Sequence, residues 1–232
     1  MIRLLAIFIL ICPRCFAQET DMNLWLNEGN DQQRADKFVS LGIPDEVASP
    51  IRSGAIDEVV WQPVRIGSTS KAAILFRPCS LSTAYLYLLT QEESWQVKDQ
   101  ASFDCHYDDS VSVDVDWVAD PNRDELLVHH ACVGHGSGYL QQNFKVLSIV
   151  RAKFQETMDT DEVLASFPVG EPELLQRSTF TIVPLVNSLR RAIEETRSTE
   201  KNGKLSVRRR YFRWSADLKR YAPGDFKTVG AK

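Results

Sequence analysis

The segment from Val111 to Trp117 constrains this chain more than any other. Val111, Val113, Val115 and Trp117 alternate with Ser112, Asp114 and Asp116. Successive side chains of a strand point to opposite faces, so this pattern is a strand with one buried and one solvated face. Such a strand needs partners and a second layer to cover its apolar side. Shorter patterns of the same kind recur at 72–77, 84–90, 125–131, 143–150, 154–158, 179–184 and 205–214. Turn residues separate them: Asp120-Pro121-Asn122, the glycines from Gly134 to Gly138, Gly170 to Pro172, and Asn202-Gly203. The expectation is a mainly β protein of antiparallel meander sheets, arranged as a sandwich or as propeller blades.

Residues 18–58 read differently. Ala35, Phe38, Val39 and Leu41 have helical spacing, and Gly42 is a natural stop. Pro44-Asp45-Glu46 suits a first helical turn, with acids at the positive end of the dipole. Pro50 and Gly54 are expected to end that second helix. Apolar residues make up 44% and charged residues 25%, enough for a packed core, which excludes a disordered or low-complexity chain.

Residues 1–17, MIRLLAIFILICPRCFA, read as an address. Arg3 precedes an unbroken apolar run from Leu4 to Cys12. Pro13 and Arg14 break it, and Cys15 and Ala17 occupy the −3 and −1 positions of a cut before Gln18. This is the pattern of a secretory signal peptide, and the expected location is secreted or periplasmic. The run is too short to span a bilayer, so no transmembrane segment is expected in the mature chain. The expected organisation is a signal peptide at 1–17, a helical segment at 18–58 and a single β domain at 59–232. Loss of the leader moves the net charge from −4 to −6 and leaves Cys79, Cys105 and Cys132. In an oxidising compartment two of them pair. Three pairings are open; Cys79 with Cys105 is the working choice, with Cys132 as a buried thiol.

A faint repeat accompanies the strands. Apolar strands begin near Lys71, Asp124 and Thr179, at a spacing close to the length of a four-stranded propeller blade. Residues 116–159, with an acidic loop and strand in ADPNRDELLV at 119–128, resemble a blade of the VCBS/FG-GAP type. The resemblance implies a propeller-like arrangement. The glycines and dense aspartates of that family's calcium loop are missing here.

Four places carry candidate chemistry. All four histidines fall between 106 and 135. His129, His130 and His135 surround Cys132, a residue set that suits zinc or copper. In a strand, His129 and His130 point to opposite faces and cannot share an ion, whereas His130 and Cys132 share one. Gly134 to Gly138 holds Ser137, but the residue two before it is His135 rather than the glycine of a nucleophile elbow. Asp120, Asn122 and Asp124, with Asp114 and Asp116 nearby, offer oxygens to calcium, yet Arg123 stands among them. Asp114 and Asp116 also fit the solvent face of their strand. Residues 204–220 carry seven basic side chains against one acid, interleaved with Tyr211, Phe212 and Trp214. Arg208, Arg210 and Trp214 there suit an anionic glycan or a lipid surface, with nucleic acid set aside because of the leader. The arginines also suit ion pairs with the acidic stretch 104–125 of the same molecule.

These readings converge on an exported, non-catalytic binding or interaction module, with no cofactor or metal expected. The competing reading is a secreted hydrolase or metal-dependent enzyme centred on the loop 129–138, with His129, His130, His135 and Ser137.

Overall fold

A computed structural model describes residues 22–229, apart from 57, 68–70, 81–82, 106–109, 135–138 and 167–173. Side chains at 80, 132–134 and 139 are likewise outside the described set. The leader, His106, His135 and Ser137 therefore lie outside the described residues.

Three short helices open the described chain: α1 (22–27), α2 (Asp31–Ser40) and α3 (Asp45–Arg52). Asn30 and Gln33 close a capping box at the start of α2, each side chain bonded to the other's backbone N–H. Gly42 follows with φ +87, the left-handed turn expected of a helix stop. Pro50 lies inside α3 instead of ending it, and Gly54, with φ +70, takes the terminating role. As the sixth residue of α3, Pro50 forgoes one i→i−4 bond, to the Glu46 carbonyl, and the helix ends two residues later.

All strands that follow are antiparallel to their neighbours. β1 (Val60–Arg65), β2 (Lys71–Ser80), β3 (Thr83–Gln91) and β4 (Trp95–Asp104) form a four-stranded meander. The next strands are β5 (Ser110–Asp116), β6 (Glu125–Gly134), β7 (Tyr139–Val150) and β8 (Lys153–Ser166). They continue through β9 (Leu174–Pro184), β10 (Arg191–Lys201), β11 (Lys204–Ser215) and β12 (Arg220–Pro223), with β13 (Lys227–Thr228) also beside β11. Together they make one nine-stranded sheet. The mainly β, antiparallel meander expected from the sequence is what the chain forms, with its short helical segment in front. Asn202 and Gly203 both have positive φ at the β10–β11 hairpin, as a two-residue turn of that type requires. Residues 116–159, the stretch with the blade-like pattern, run from the end of β5 into β8 within the large sheet.

The layers are joined by three cores. The helices bury Leu26, Phe38, Val47 and Ile51 against Trp61, Leu75, Tyr87 and Leu89 on one face of the small sheet. Trp95 meets Trp61 edge-on there, ring centroids 4.7 Å apart. The opposite face of the small sheet, with Ile74, Phe76, Leu86, Leu88 and Phe103, packs on Val111, Leu126, Val128, Leu147 and Ile149 of the large one. Val111 faces this core, as its alternation requires. Cys79 and Cys105 are disulfide-bonded at its margin, tying the end of β2 to the residue after β4.

The third core lies on the other face of the large sheet. Val118, Phe144, Val146 and Met158 from its first half meet Ile193, Phe212 and Tyr221 from its second. The sheet is bent over, so that β9–β12 cover β5–β8. β8 makes this possible: it pairs with β7 along its whole length, but with β9 only from Val163 to Ser166. Two register shifts against β7 accompany the bend, consistent with the extra curvature that bulges introduce.

The free edge of β1 is covered by side chains. Asn23 accepts from the Trp61 N–H and donates to the Trp61 carbonyl, both at 2.7 Å. Asn27, one helical turn on, does the same at Val59, at 3.1 and 2.9 Å. Two carboxamides thus take the place of a neighbouring strand, and block an edge that would otherwise be open to pairing.

Candidate functional site: the cleft inside the folded sheet

The bend in the large sheet leaves a cleft of about 360 Å³ between its halves. The alternation of β5 and β6 places Asp114, Asp116, Leu127 and His129 on one wall. Phe180, Ile182, Arg191 and Ile193 from β9 and β10 form the other. Phe144, on β7, lies opposite His129 and stacks on Phe180 across the cleft, 4.2 Å between centroids and 9° between planes.

His129 is the only histidine in this cleft among the described residues. Its Nδ1 sits 2.8 Å from Glu162 Oε2. The same oxygen accepts from the Gln142 carboxamide at 2.7 Å. This hydrogen bond to a carboxylate holds the imidazole pKa above the usual histidine value, against the opposing pull of burial. The pairing also fixes which ring nitrogen faces the cleft, because Nδ1 is occupied.

The mouth of the cleft is latched by Arg191. Its guanidinium bonds Asp116 and lies 3.7 Å above the Trp117 ring, while its backbone N–H donates to the Val118 carbonyl at 2.9 Å. One residue therefore joins β10 to the end of β5, across 75 positions of chain. Asp114 and Asp116 share this wall with His129; what reads in sequence as a solvated strand face is the lip of the cleft. Asp114 remains exposed.

His130 points the other way, as strand alternation dictates. Its Nε2 lies 2.8 Å from the Asp104 carbonyl, and its ring meets Phe103 edge-on at 5.8 Å. Cys132 belongs to β6 by its backbone pairing with Gln141, and its side chain is outside the described set.

Of the carboxylates in the loop 117–124, Asp124 is buried and Asp120 is half-exposed. Asp124 takes the Arg65 backbone N–H at 2.7 Å and the Arg65 guanidinium at 2.5 and 2.9 Å, stitching the small sheet to the large one. Asp120 accepts from the Asn122 N–H at 2.9 Å. Nearby Glu125, buried, accepts from the Val118 and Ala119 N–H groups, from Ser148 and from the Tyr221 hydroxyl. Burial and this carboxylate push the Tyr221 pKa up, so the phenol stays protonated as the donor.

The basic strand β11 distributes its charges over two faces. Arg210 points inward and donates to Glu195, which is fully buried and also accepts from Arg197 and Ser178. Arg209, on the other face, pairs with Glu194. Arg209 and Arg210 of β11 thus meet acids of β10 rather than those of 104–125. Arg208 is exposed, opposite Arg197 in the ladder. Trp214 is half-buried, edge-on to Tyr221, and lines a smaller cavity of about 210 Å³ with Asp120, Arg123 and Arg190.

Sequence reasoning located His129 and Asp116 but not their partners. Glu162 meets His129 across 33 residues and Arg191 meets Asp116 across 75, separations that local patterns do not register. Comparison with protein-family models, with curated proteins and with solved structures gives no match for this chain.

Proposed function

We propose that the protein is an exported, non-catalytic binding module whose ligand site is the cleft inside the folded sheet. One observation supports this reading: the charged groups of the cleft are paired internally, His129 with Glu162 and Asp116 with Arg191, over a stacked aromatic floor. Both pairs fix their side chains along the walls of the cleft, as a site that orients a ligand requires. Asp114 is left exposed at the lip as an acceptor. The occupant this suits is a small ligand with an apolar ring and a neutral, hydroxyl-rich or cationic edge. The acidic lip disfavours an anionic glycan in the cleft.

The test is thermal unfolding of the purified protein against a panel of neutral saccharides and aromatic amines. A true ligand at a hundred times its Kd stabilises by about 2.7 kcal/mol, which for a chain of this size raises Tm by roughly 5–10 °C. Phe180→Ser should abolish the rise without abolishing folding, since Phe180 is only half-buried. A ligand that stabilises the Phe180→Ser variant equally binds elsewhere and refutes the cleft.

The second reading, a hydrolase centred on 129–138, is favoured by the same His129–Glu162 pair, since a carboxylate on Nδ1 is how a general base is commonly oriented. Turnover of chromogenic ester or phosphoester substrates, lost on His129→Ala, would establish it in place of the binding module.

A further inference from the structure

The β9–β10 hairpin, at the far end of the fold from the β10–β11 turn, carries the most exposed apolar residues of the described chain. Val186 is 89% and Leu189 81% exposed. They are not on a loose loop. The Leu185 N–H donates to the Arg190 carbonyl, the Ser188 N–H to the Leu185 carbonyl, and the Arg190 N–H to Ser188 Oγ. Asn187 adopts φ +58 at the centre of this turn. The backbone thus satisfies itself and presents two aliphatic side chains outward. The meander places the β11–β12 turn at the same end, and it adds Leu218, 63% exposed. The two hairpins are separated by about the width of two strands, roughly 10 Å.

The charges around these tips have one sign. Arg190, Arg213, Lys219 and Arg220 flank them, against the single acid Asp217. Among the described residues none of these four basic side chains has a carboxylate within ion-pair distance. Three charge pairs nearby are neutralised locally: Arg191 with Asp116, Glu194 with Arg209, and Asp120 with Arg123 at 3.9 Å. Arg213 lines a shallow groove of about 600 Å³ behind the tip, with Leu185, Val186 and Tyr211.

We infer that this end of the protein docks on an anionic lipid bilayer, with Val186 and Leu189 entering the interface and the four basic residues engaging headgroup phosphates. An aliphatic tip ringed by unpaired cations fits a surface that is negative outside and apolar beneath. Exposed aliphatics in a tightly bonded turn also keep little conformational freedom to lose on insertion. The inference concerns a surface separate from the cleft and does not depend on the ligand reading.

The experiment is co-sedimentation of the full-length mature protein with vesicles of phosphatidylcholine alone and with 30 mol% phosphatidylglycerol, a composition chosen to give a negative surface. The expected result is binding to the anionic vesicles only, weakened by salt. The double variant Val186→Ser/Leu189→Ser should lose at least tenfold in partitioning, because it removes the inserting groups. Both side chains are solvent-exposed, so folding is unaffected. Arg190→Glu/Arg220→Glu should lose a similar factor. Leu205→Ser, at the opposite end of β11 and 68% exposed, should bind as the parent does. Absence of binding to anionic vesicles, equal binding to neutral ones, or full binding by the double serine variant would overturn the inference. A soluble protein partner that requires Val186 and Leu189 while vesicles are ignored would overturn it in favour of a protein interface.

Discussion

Replacing Glu195 with glutamine tests what holds the second half of the large sheet together. Glu195 is fully buried on β10 and accepts three side-chain hydrogen bonds: Ser178 from β9 at 2.7 Å, Arg197 at 2.7 Å and Arg210 from β11 at 2.5 Å. The Phe226 ring lies against both guanidiniums, 4.8 Å from Arg197 and 4.4 Å from Arg210, so neither leaves its place freely. Glu195→Gln keeps the shape, removes the charge and turns an amide N–H₂ toward an arginine N–H. Removing one partner of a buried ion pair costs about 3–5 kcal/mol. Arg197 and Arg210 retain 19% and 16% side-chain exposure, so water recovers part of that and the expected loss is about 3 kcal/mol. At roughly 2–4 °C per kcal/mol for a chain of this size, Tm should fall by about 6–12 °C. The assay is urea unfolding followed by far-UV circular dichroism, urea being chosen because guanidinium screens the ion pairs at issue. The triple replacement of Glu195, Arg197 and Arg210 by leucine should recover most of the loss, since it leaves no uncompensated charge. A loss below about 1 kcal/mol for Glu195→Gln, or a triple variant weaker than the single one, would refute the reasoning.

Two further outcomes follow from the geometry. The Cys79–Cys105 bridge closes a loop of 26 residues, so Cys79→Ala with Cys105→Ala should lower stability by about 3.5 kcal/mol on the chain-entropy account, read as a lower urea midpoint. His129 titrates above the usual histidine value when folded, so its pairing with Glu162 stabilises the protein fully below about pH 6.5 and is lost as pH rises through the folded pKa. The stability difference between the parent and His129→Gln should therefore shrink from pH 6 toward pH 9; a difference that grows over that range would contradict the pairing.

What the sequence disclosed depended on whether each burial was local. β5 was legible because apolar and polar residues alternate along it without exception. β10 was not, because Glu194, Glu195, Arg197 and Glu200 make it read as a charged, helix-friendly stretch. Its buried charge is neutralised by arginines of its own strand and of β11, a compensation that composition does not reveal. β4 is hard to bound in the sequence for a related reason: Lys98, Asp99 and Gln100 interrupt its apolar pattern, although Trp95, Val97 and Phe103 still face the cores. β8 was recognised only over 154–158, because its second half, from Asp159 to Glu162, is polar and lines the bend. At the site, strand alternation separated His129 from His130 correctly. The cleft itself depends on a sheet folding over on its own later strands, which no local pattern encodes.

The order of the strands has a consequence for how the chain is made. Every strand from β1 to β4 and from β5 to β12 pairs with its neighbours in sequence. Each pairing closes a short loop, so assembly can proceed hairpin by hairpin without waiting for distant segments, the condition that favours fast folding in β proteins. The disulfide obeys the same rule. Beyond residue 17, the cysteine that follows Cys79 in the chain is Cys105, its bonded partner, and Cys132 comes later. During synthesis from the N-terminus the native pairing is thus the first one on offer. A chain folding as it emerges would secure the small sheet before the competing thiol arrives.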